Sequence, residues 1–282
     1  MNRTVPLVAV SILLCACTSG GPFPSDTPVS EARRAELRAA LSGEMSEHRV
    51  RRYRDAWTVL ADGAEVAPGR IRLFYTRRVV PAEDRASGPD QDAPDHWNRE
   101  HVWPQSFGLK GNAARSDLHN LVPVDRTVNA ARGNKLFGEG TAPHRECTPC
   151  RVSRETWEPA PEVQGDVARI VFYMDVRYEG GARDGVPDLV LADAPAREAA
   201  RFGRLTTLAR WHCADPVSAE ERQRHEAVAR AQGNRNVFVD DPLLAGAVFG
   251  FSCPRRPEIP LWRALVGRAT AWASAFGAEA SR

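Results

Sequence analysis

Glu100 and His101 stand side by side in the stretch WNREHVWPQSFG. A carboxylate suits a hard cation, and an imidazole titrates close enough to neutrality to take a proton from water. Together they offer a metal ligand beside a general base. Hydrolysis of a phosphodiester needs that combination: an activated water, and a countercharge on the phosphate and the departing oxygen. Mg²⁺ prefers oxygen ligands and keeps several waters, so two protein oxygens suffice. Asn129, in DRTVNAARGN, is the best second oxygen, because helical spacing puts it on one face with Asp125 and Arg132. An isolated Glu-His dipeptide is common and carries little weight. The elements around it decide whether it is a site.

Those elements are short. WNREHVWP reads as a strand that ends at Pro104, which cannot donate to a ladder. QSFGLKGNAARS is a loop, DLHNLVP a second short strand, and DRTVNAARGN a helix with Asp125 as N-cap and Gly133 as C-cap. The order is strand, loop, strand, helix. One difficulty is geometric. Neighbours in a regular strand point to opposite faces, so Glu100 and His101 converge on one phosphate only if the backbone departs from regular pleating there.

Around this unit the pattern is largely helical. SEARRAELRAALSGEM opens on Ser30 as N-cap and repeats Leu37 and Leu41 one turn apart. RVRRYRDAWTVLAD predicts a second helix, and RIRLFYTRRVV alternates as one strand with Ile71, Leu73 and Tyr75 on one side and Phe74 on the other. AEDRASGPDQDAPD is an acidic loop. GDVARIVFYMDVRY places Val167, Val171, Met174 and Tyr178 on one helical face. Ser218 to Glu221 form a capping box for a helix that closes near Gly233, and PLWRALVGRATAWASAF predicts a last helix. No strands are expected after residue 160, and no internal repeat is present. The expected class is α+β: a small ββα catalytic unit, with its motif core at 97–138, inside one largely helical domain over 31–282.

The chain has 282 residues, 43% of them hydrophobic, enough for a substantial core. A formal net charge of only +2 excludes an overall basic field as the basis of any nucleic-acid binding. All but two of the 38 basic residues, Lys110 and Lys135, are arginine. The planar guanidinium fork suits phosphate, although GC-rich codon usage gives the same bias. After Arg3 the run VPLVAVSILLCAC is too short to span a bilayer, which takes about 20 residues, and fits a secretory signal at 1–16. LCAC resembles a lipobox with Cys17 as the lipidated residue, and 17–30 reads as a flexible tether. Export leaves Cys147, Cys150, Cys213 and Cys253 in an oxidising compartment, where two disulfides are expected. The alternative is a zinc site built from CTPC with Cys213 and Cys253. Sequence leaves the connectivity open. A 213–253 bridge would leave CTPC to pair within itself or stay reducible.

NREHVWPQSFG, SDLHNLVPVDRTVNAARGN, GDVARIVFYMDVRY and QGNRNVFVDDP, in that order, resemble the bacterial endonuclease I family. The resemblance runs from Tyr53 to Phe249. It implies an exported, sugar-nonspecific nuclease with a ββα-metal, or His-Me finger, site acting on DNA and on RNA. By resemblance His101 is the general base, and Glu100 and Asn129 hold one Mg²⁺, with Mn²⁺ or Ca²⁺ as substitutes. Products would carry 5′-phosphate ends. The loop after the first motif is shorter than in many members, which leaves Arg115 and Arg132 as candidates to bind the phosphate. Asp117, His119 and Asn120 are expected to brace the motif, with metal binding as their alternative. Asn234 and Asn236 should fix a loop, and Trp97 and Trp103 should be core. HEAVA at His225 is no zinc-protease helix, since Ala229 stands where the second histidine would be. Two rivals remain: a noncatalytic envelope lipoprotein that binds nucleic acid, and a cysteine-zinc structural protein.

Overall fold

The computed structural model describes residues 30–88, 93–181 and 185–254. The signal segment, Cys17 and the tether up to residue 29 lie outside the described residues, as does the helix expected at 260–276.

The molecule is built round a helix buried on every side. α4 (Gln164–Arg177) has Gly165 to Arg177 all buried, where the apolar spacing had suggested a single inward face. Its charged positions are accommodated by partners. Arg169 forks onto Glu221 at 2.8 and 2.6 Å and reaches Asp166. Asp175 accepts from Arg38 and from the Leu191 amide. Such pairing is the condition for holding charge in a low-dielectric interior. Against α4 pack α1 (Glu31–Ser46), α5 (Leu205–Ala214) and α7 (Val237–Asp240), with α8 (Leu243–Phe249) on α1 and α7. Ser30 caps α1 as its sequence predicts, by accepting from the Arg33 amide.

A second core lies between α2 (Ala56–Ala64) and α6 (Ala219–Gln232). α2 starts later than expected. Residues 47–52 precede it without helix, the Arg49 amide pairs with the Gln232 carbonyl, and a 3-10 turn at Tyr53–Asp55 leads in. Four arginines between 49 and 54 would also oppose the positive end of a helix dipole. The capping box of α6 is half made. Ser218 accepts from the Glu221 amide, while the Glu221 carboxylate turns inward to Arg169.

RIRLFYTRRVV is a hairpin, not one strand. β1 (Glu65–Ala67), β2 (Arg70–Arg72) and β3 (Val79–Pro81) form an antiparallel sheet. The chain leaves β2 at Leu73, and the Phe74 amide pairs with the Pro123 carbonyl, so Phe74 is buried together with Tyr75. β4 (Trp97–His101) pairs antiparallel with β5 (Leu121–Asp125), from Trp97 opposite Asp125 to His101 opposite Leu121, and α3 (Arg126–Arg132) follows. The second strand begins at Leu121, not at Asp117, because the Asp117 carboxylate caps a 3-10 turn over Leu118–Asn120. Asp125 occupies the N-cap position of α3 but makes no capping bond. Its carboxylate instead takes Thr76 and Arg78 from the hairpin turn. Gly133 ends α3 at φ +56°, and its amide closes on the Asn129 carbonyl.

Two further sheets were not expected. β6 (Leu136–Phe137), β7 (Ala142–Pro143), β8 (Arg151–Val152) and β9 (Thr156–Glu158) pair in the order β6-β9-β8-β7. Past residue 160, β10 (Val190–Leu191) and β11 (Arg201–Phe202) form a parallel pair. Strands of two or three residues leave no alternation to read. The fold class is α+β, in one mixed domain.

Disulfides join Cys147 to Cys150 and Cys213 to Cys253. This removes the zinc alternative, since no thiolate is left among those four. Among the described residues no helix is long and apolar enough to cross a membrane.

Candidate active site

The end of β4 supplies three consecutive residues to one open cleft. Arg99, Glu100 and His101 line it together with Gln105, Ser106, Asn129 and Asn134. Pleating through His101 is regular, so the expected departure from it does not occur. Three consecutive residues of β4, from both faces of the strand, line the cleft all the same.

Glu100 is 2% exposed. Its Oε1 accepts from the Tyr75 hydroxyl at 3.0 Å and pairs with Arg132 Nη1 at 2.9 Å, while among the described residues Oε2 has no side-chain partner. Burial raises the Glu100 pKa to about 7, against the pull of Arg132, Tyr75 and the His101 amide. Arg132 is 0% exposed. Its guanidinium also holds the carbonyls of His101 and Val102, at 2.9 and 2.6 Å. It is thus out of reach of a phosphate in the cleft, and the phosphate-binding role expected for it is corrected: Arg132 ties α3 to β4 and anchors Glu100.

Asn129 faces the same strand from α3. Its amide nitrogen donates to Asn98 Oδ1 at 2.7 Å and lies 3.4 Å from the Arg99 carbonyl. A carbonyl only accepts, so the nitrogen is fixed on the strand side, and among the described residues Oδ1 has no hydrogen-bond partner. Glu100 Oε2 and Asn129 Oδ1 are therefore two hard oxygens on the walls of one cleft. That donor set fits a divalent cation that completes its shell with water and substrate oxygens. Among the described residues no three His, Cys, Asp or Glu side chains converge to hold an ion by themselves.

His101, 6% exposed, is held from several directions. Nε2 lies 2.9 Å from the Arg115 carbonyl, which only accepts, so the ring proton sits on Nε2 and Nδ1 keeps its lone pair. The Gln105 amide stands 3.4 Å from Nδ1. Tyr53 stacks on the ring with centroids 5.5 Å apart. Burial first, and then the guanidinium charges of Arg115, Arg99 and Arg132, hold the imidazole pKa down to about 4. At neutral pH the ring is an uncharged proton acceptor.

Arg115 is exposed beside this arrangement, its guanidinium 4.5 Å from the Tyr53 ring centre. Arg99 lies over Tyr53 at 3.7 Å and over Trp57 at 4.1 Å. Sequence reasoning missed Arg99, although it sits in the quoted motif. It also missed Tyr53, Tyr75 and Gln105, which only folding brings near.

Asp117, His119 and Asn120 stand away from the cleft. Asp117 takes the hydroxyls of Tyr173 and Tyr178 and the Gln232 amide. Asn120 brackets Trp103 through both backbone groups, and His119 Nε2 meets the Asn234 carbonyl at 3.2 Å. Asn234 binds the Met45 carbonyl and Tyr173, and Asn236 binds the Arg169 carbonyl. Trp97 and Trp103 are fully buried.

The model of the family described as Endonuclease I matches residues 34–243. The chain belongs to the endonuclease I family. As a member it is a hydrolytic nuclease, and nucleases of the endonuclease I family generally depend on a divalent metal. It is 39% identical to the extracellular ribonuclease of Bacillus amyloliquefaciens over 76% of this chain and 73% of that protein. To the extracellular ribonuclease of Bacillus subtilis it is 36% identical over 76% and 74%. An extracellular deoxyribonuclease of Aeromonas hydrophila is 26% identical over 46% of this endonuclease I chain and 50% of its own.

Proposed function

We propose that this endonuclease I family member is an exported, Mg²⁺-dependent, sequence-nonspecific endonuclease that cuts RNA and DNA and leaves 5′-phosphate ends. The observation that carries the reading is the fixed tautomer of His101, a neutral imidazole whose Nδ1 keeps its lone pair beside the Gln105 amide, in the cleft that Glu100 and Asn129 also line. Nδ1 takes a proton from water as the water oxygen attacks phosphorus, the P–O3′ bond breaks, and the departing 3′ oxygen takes a proton from solvent water to leave a 3′-hydroxyl. Glu100 and Asn129 hold the cation, which when bound supplies positive charge to the phosphoryl oxygens and the departing 3′ oxygen. Arg115 and Arg99 offer guanidinium charge to the phosphate. No 2′-hydroxyl takes part, so ribose and deoxyribose both serve. The relatives named as ribonucleases and deoxyribonucleases support that breadth. Noncatalytic binding of nucleic acid gives no reason for an oriented base beside two free oxygens.

Export is supported by the extracellular relatives and by both disulfides, which persist in oxidising compartments. Residues 1–16 direct it, Cys17 carries a lipid, 17–30 are the tether, and 31–282 form the nuclease domain.

The test is digestion of end-labelled RNA and DNA oligonucleotides with Mg²⁺ and with chelator. Both should be cut in Mg²⁺ alone, and the new ends should be 5′-phosphates. Cleavage of RNA in chelator with 2′,3′-cyclic phosphate ends would overturn the reading.

A further inference from the structure

The arginines of this chain divide into two groups. Many are tied to carboxylates, among them Arg38, Arg78, Arg151 and Arg235. Arg154 and Arg197 have no ion pair among the described residues, and both are exposed. Both line one cleft, with Lys135, Asn134 and Phe107, and Glu155 is the acid among its lining. Asn134 also lines the cleft of Glu100 and His101, so the two clefts adjoin through that residue. Lys135 is fixed at the junction by its Nζ bond to the Ala131 carbonyl in α3, and Arg197 lies over the Phe107 ring at 5.5 Å. A guanidinium resting on an aromatic face keeps its donors free and loses less freedom when it meets an anion.

We propose that this second cleft is a strand-binding subsite, in which Arg154, Arg197 and Lys135 hold phosphates of the strand being cut, to one side of the bond at His101. The inference rests on the nuclease reading and adds where the polyanion lies. With net charge near zero, the chain draws nucleic acid by local placement of unpaired cations. Phosphate contacts of this kind read no bases, which agrees with nonspecific cutting.

The double variant Arg154→Ala/Arg197→Ala tests it, since neither side chain makes a hydrogen bond within the described fold. Binding of a 20-nucleotide single strand is measured by fluorescence anisotropy in chelator across a KCl series. Steady-state cleavage of that strand, and of bis(p-nitrophenyl) phosphate, is measured in Mg²⁺. The expected result is a KM for the strand raised about tenfold with kcat unchanged, and a salt slope smaller by about 1.4, since each phosphate of a single strand that is no longer neutralised removes about 0.7. The small diester, too short to reach the second cleft, should be hydrolysed as by the unmodified protein. A wild-type KM and salt slope would overturn the subsite. Equal losses on strand and small diester would also overturn it, because the residues would then be acting on the reaction centre. If the unmodified protein hydrolyses neither substrate, the nuclease reading fails, and the salt slope still decides the subsite.

Discussion

In the proposed function His101 is a neutral, oriented base, and Glu100 and Asn129 each offer one oxygen to a cation. The division of labour makes separable predictions. His101→Ala should lower kcat by about a hundredfold or more, the scale of a lost general base, with oligonucleotide affinity retained, because guanidinium contacts are untouched. Wild-type cleavage of supercoiled plasmid by that variant would remove His101 from its role. Glu100→Gln and Asn129→Ala should instead raise the Mg²⁺ concentration needed for half-maximal rate, and Mn²⁺ should partly restore Glu100→Gln. A metal titration in which both follow the unmodified protein would show that neither is a ligand. Glu100 and His101 drew notice because they are adjacent in one motif, and Asn129 because a second motif puts it on a helical face with Asp125 and Arg132. Tyr53, Tyr75 and Gln105 did not, since a stacking ring or a braced carboxylate leaves no local spacing to find. Arg132 was legible as a position and misread as a phosphate arm, because burial is decided by the packing of α3 on β4 and not by residue type.

At the scale of elements, buried polar ties hold α3 against the two-stranded sheet of β4 and β5. Arg132 is the central one, joining α3 to the last residues of β4 while neutralising Glu100. Arg132→Met should therefore destabilise the protein by about 3–5 kcal/mol, the cost of leaving a buried carboxylate without its partner. The measurement is urea unfolding without metal, and the loss should shrink when Glu100→Gln is combined with it. Additive losses in the double variant would mean that the pair is not coupled. The order strand, loop, strand, helix was readable from turn residues and Pro104. The start of β5 was not, because the Asp117 carboxylate competes for the backbone and draws Leu118–Asn120 into a turn. The full burial of α4 was also hidden. Its arginines and aspartates look solvent-facing until Glu221, Arg38 and the Leu191 amide are brought to meet them.

For the whole molecule, the C-terminal helices are fastened at α5. Cys213 bridges to Cys253 beyond α8, and His212 Nε2 lies 3.0 Å from the Pro242 carbonyl before α8. Among the described residues the buried His212 Nδ1 has no hydrogen-bond partner, and burial, helped by the nearby Arg169, lowers the pKa to about 4. In the unfolded chain the ring takes its proton near the ordinary value of about 6.5. A depressed folded pKa gives stability that is complete above the unfolded value and is lost as pH falls towards the folded one. Relative to His212→Gln, the unmodified protein should thus lose about 3 kcal/mol of unfolding free energy between pH 6.5 and 4. Parallel pH profiles for the two proteins would show that His212 does not titrate between folded and unfolded states.

The Glu100–Arg132 pair has one further consequence. Because Arg132 already balances the carboxylate, a divalent ion entering the cleft is not neutralised by its own ligands and leaves the cleft with surplus positive charge. A phosphodiester removes that surplus, so ion and polyanion should bind with positive cooperativity, each tightening the other by the same factor. Calorimetric titration of Ca²⁺ into the protein, with and without a phosphorothioate oligonucleotide, should give the lower dissociation constant when the oligonucleotide is present. Equal constants would mean that the cleft draws its ion without help from the strand, and that the balance struck by Arg132 has no bearing on when the enzyme is loaded.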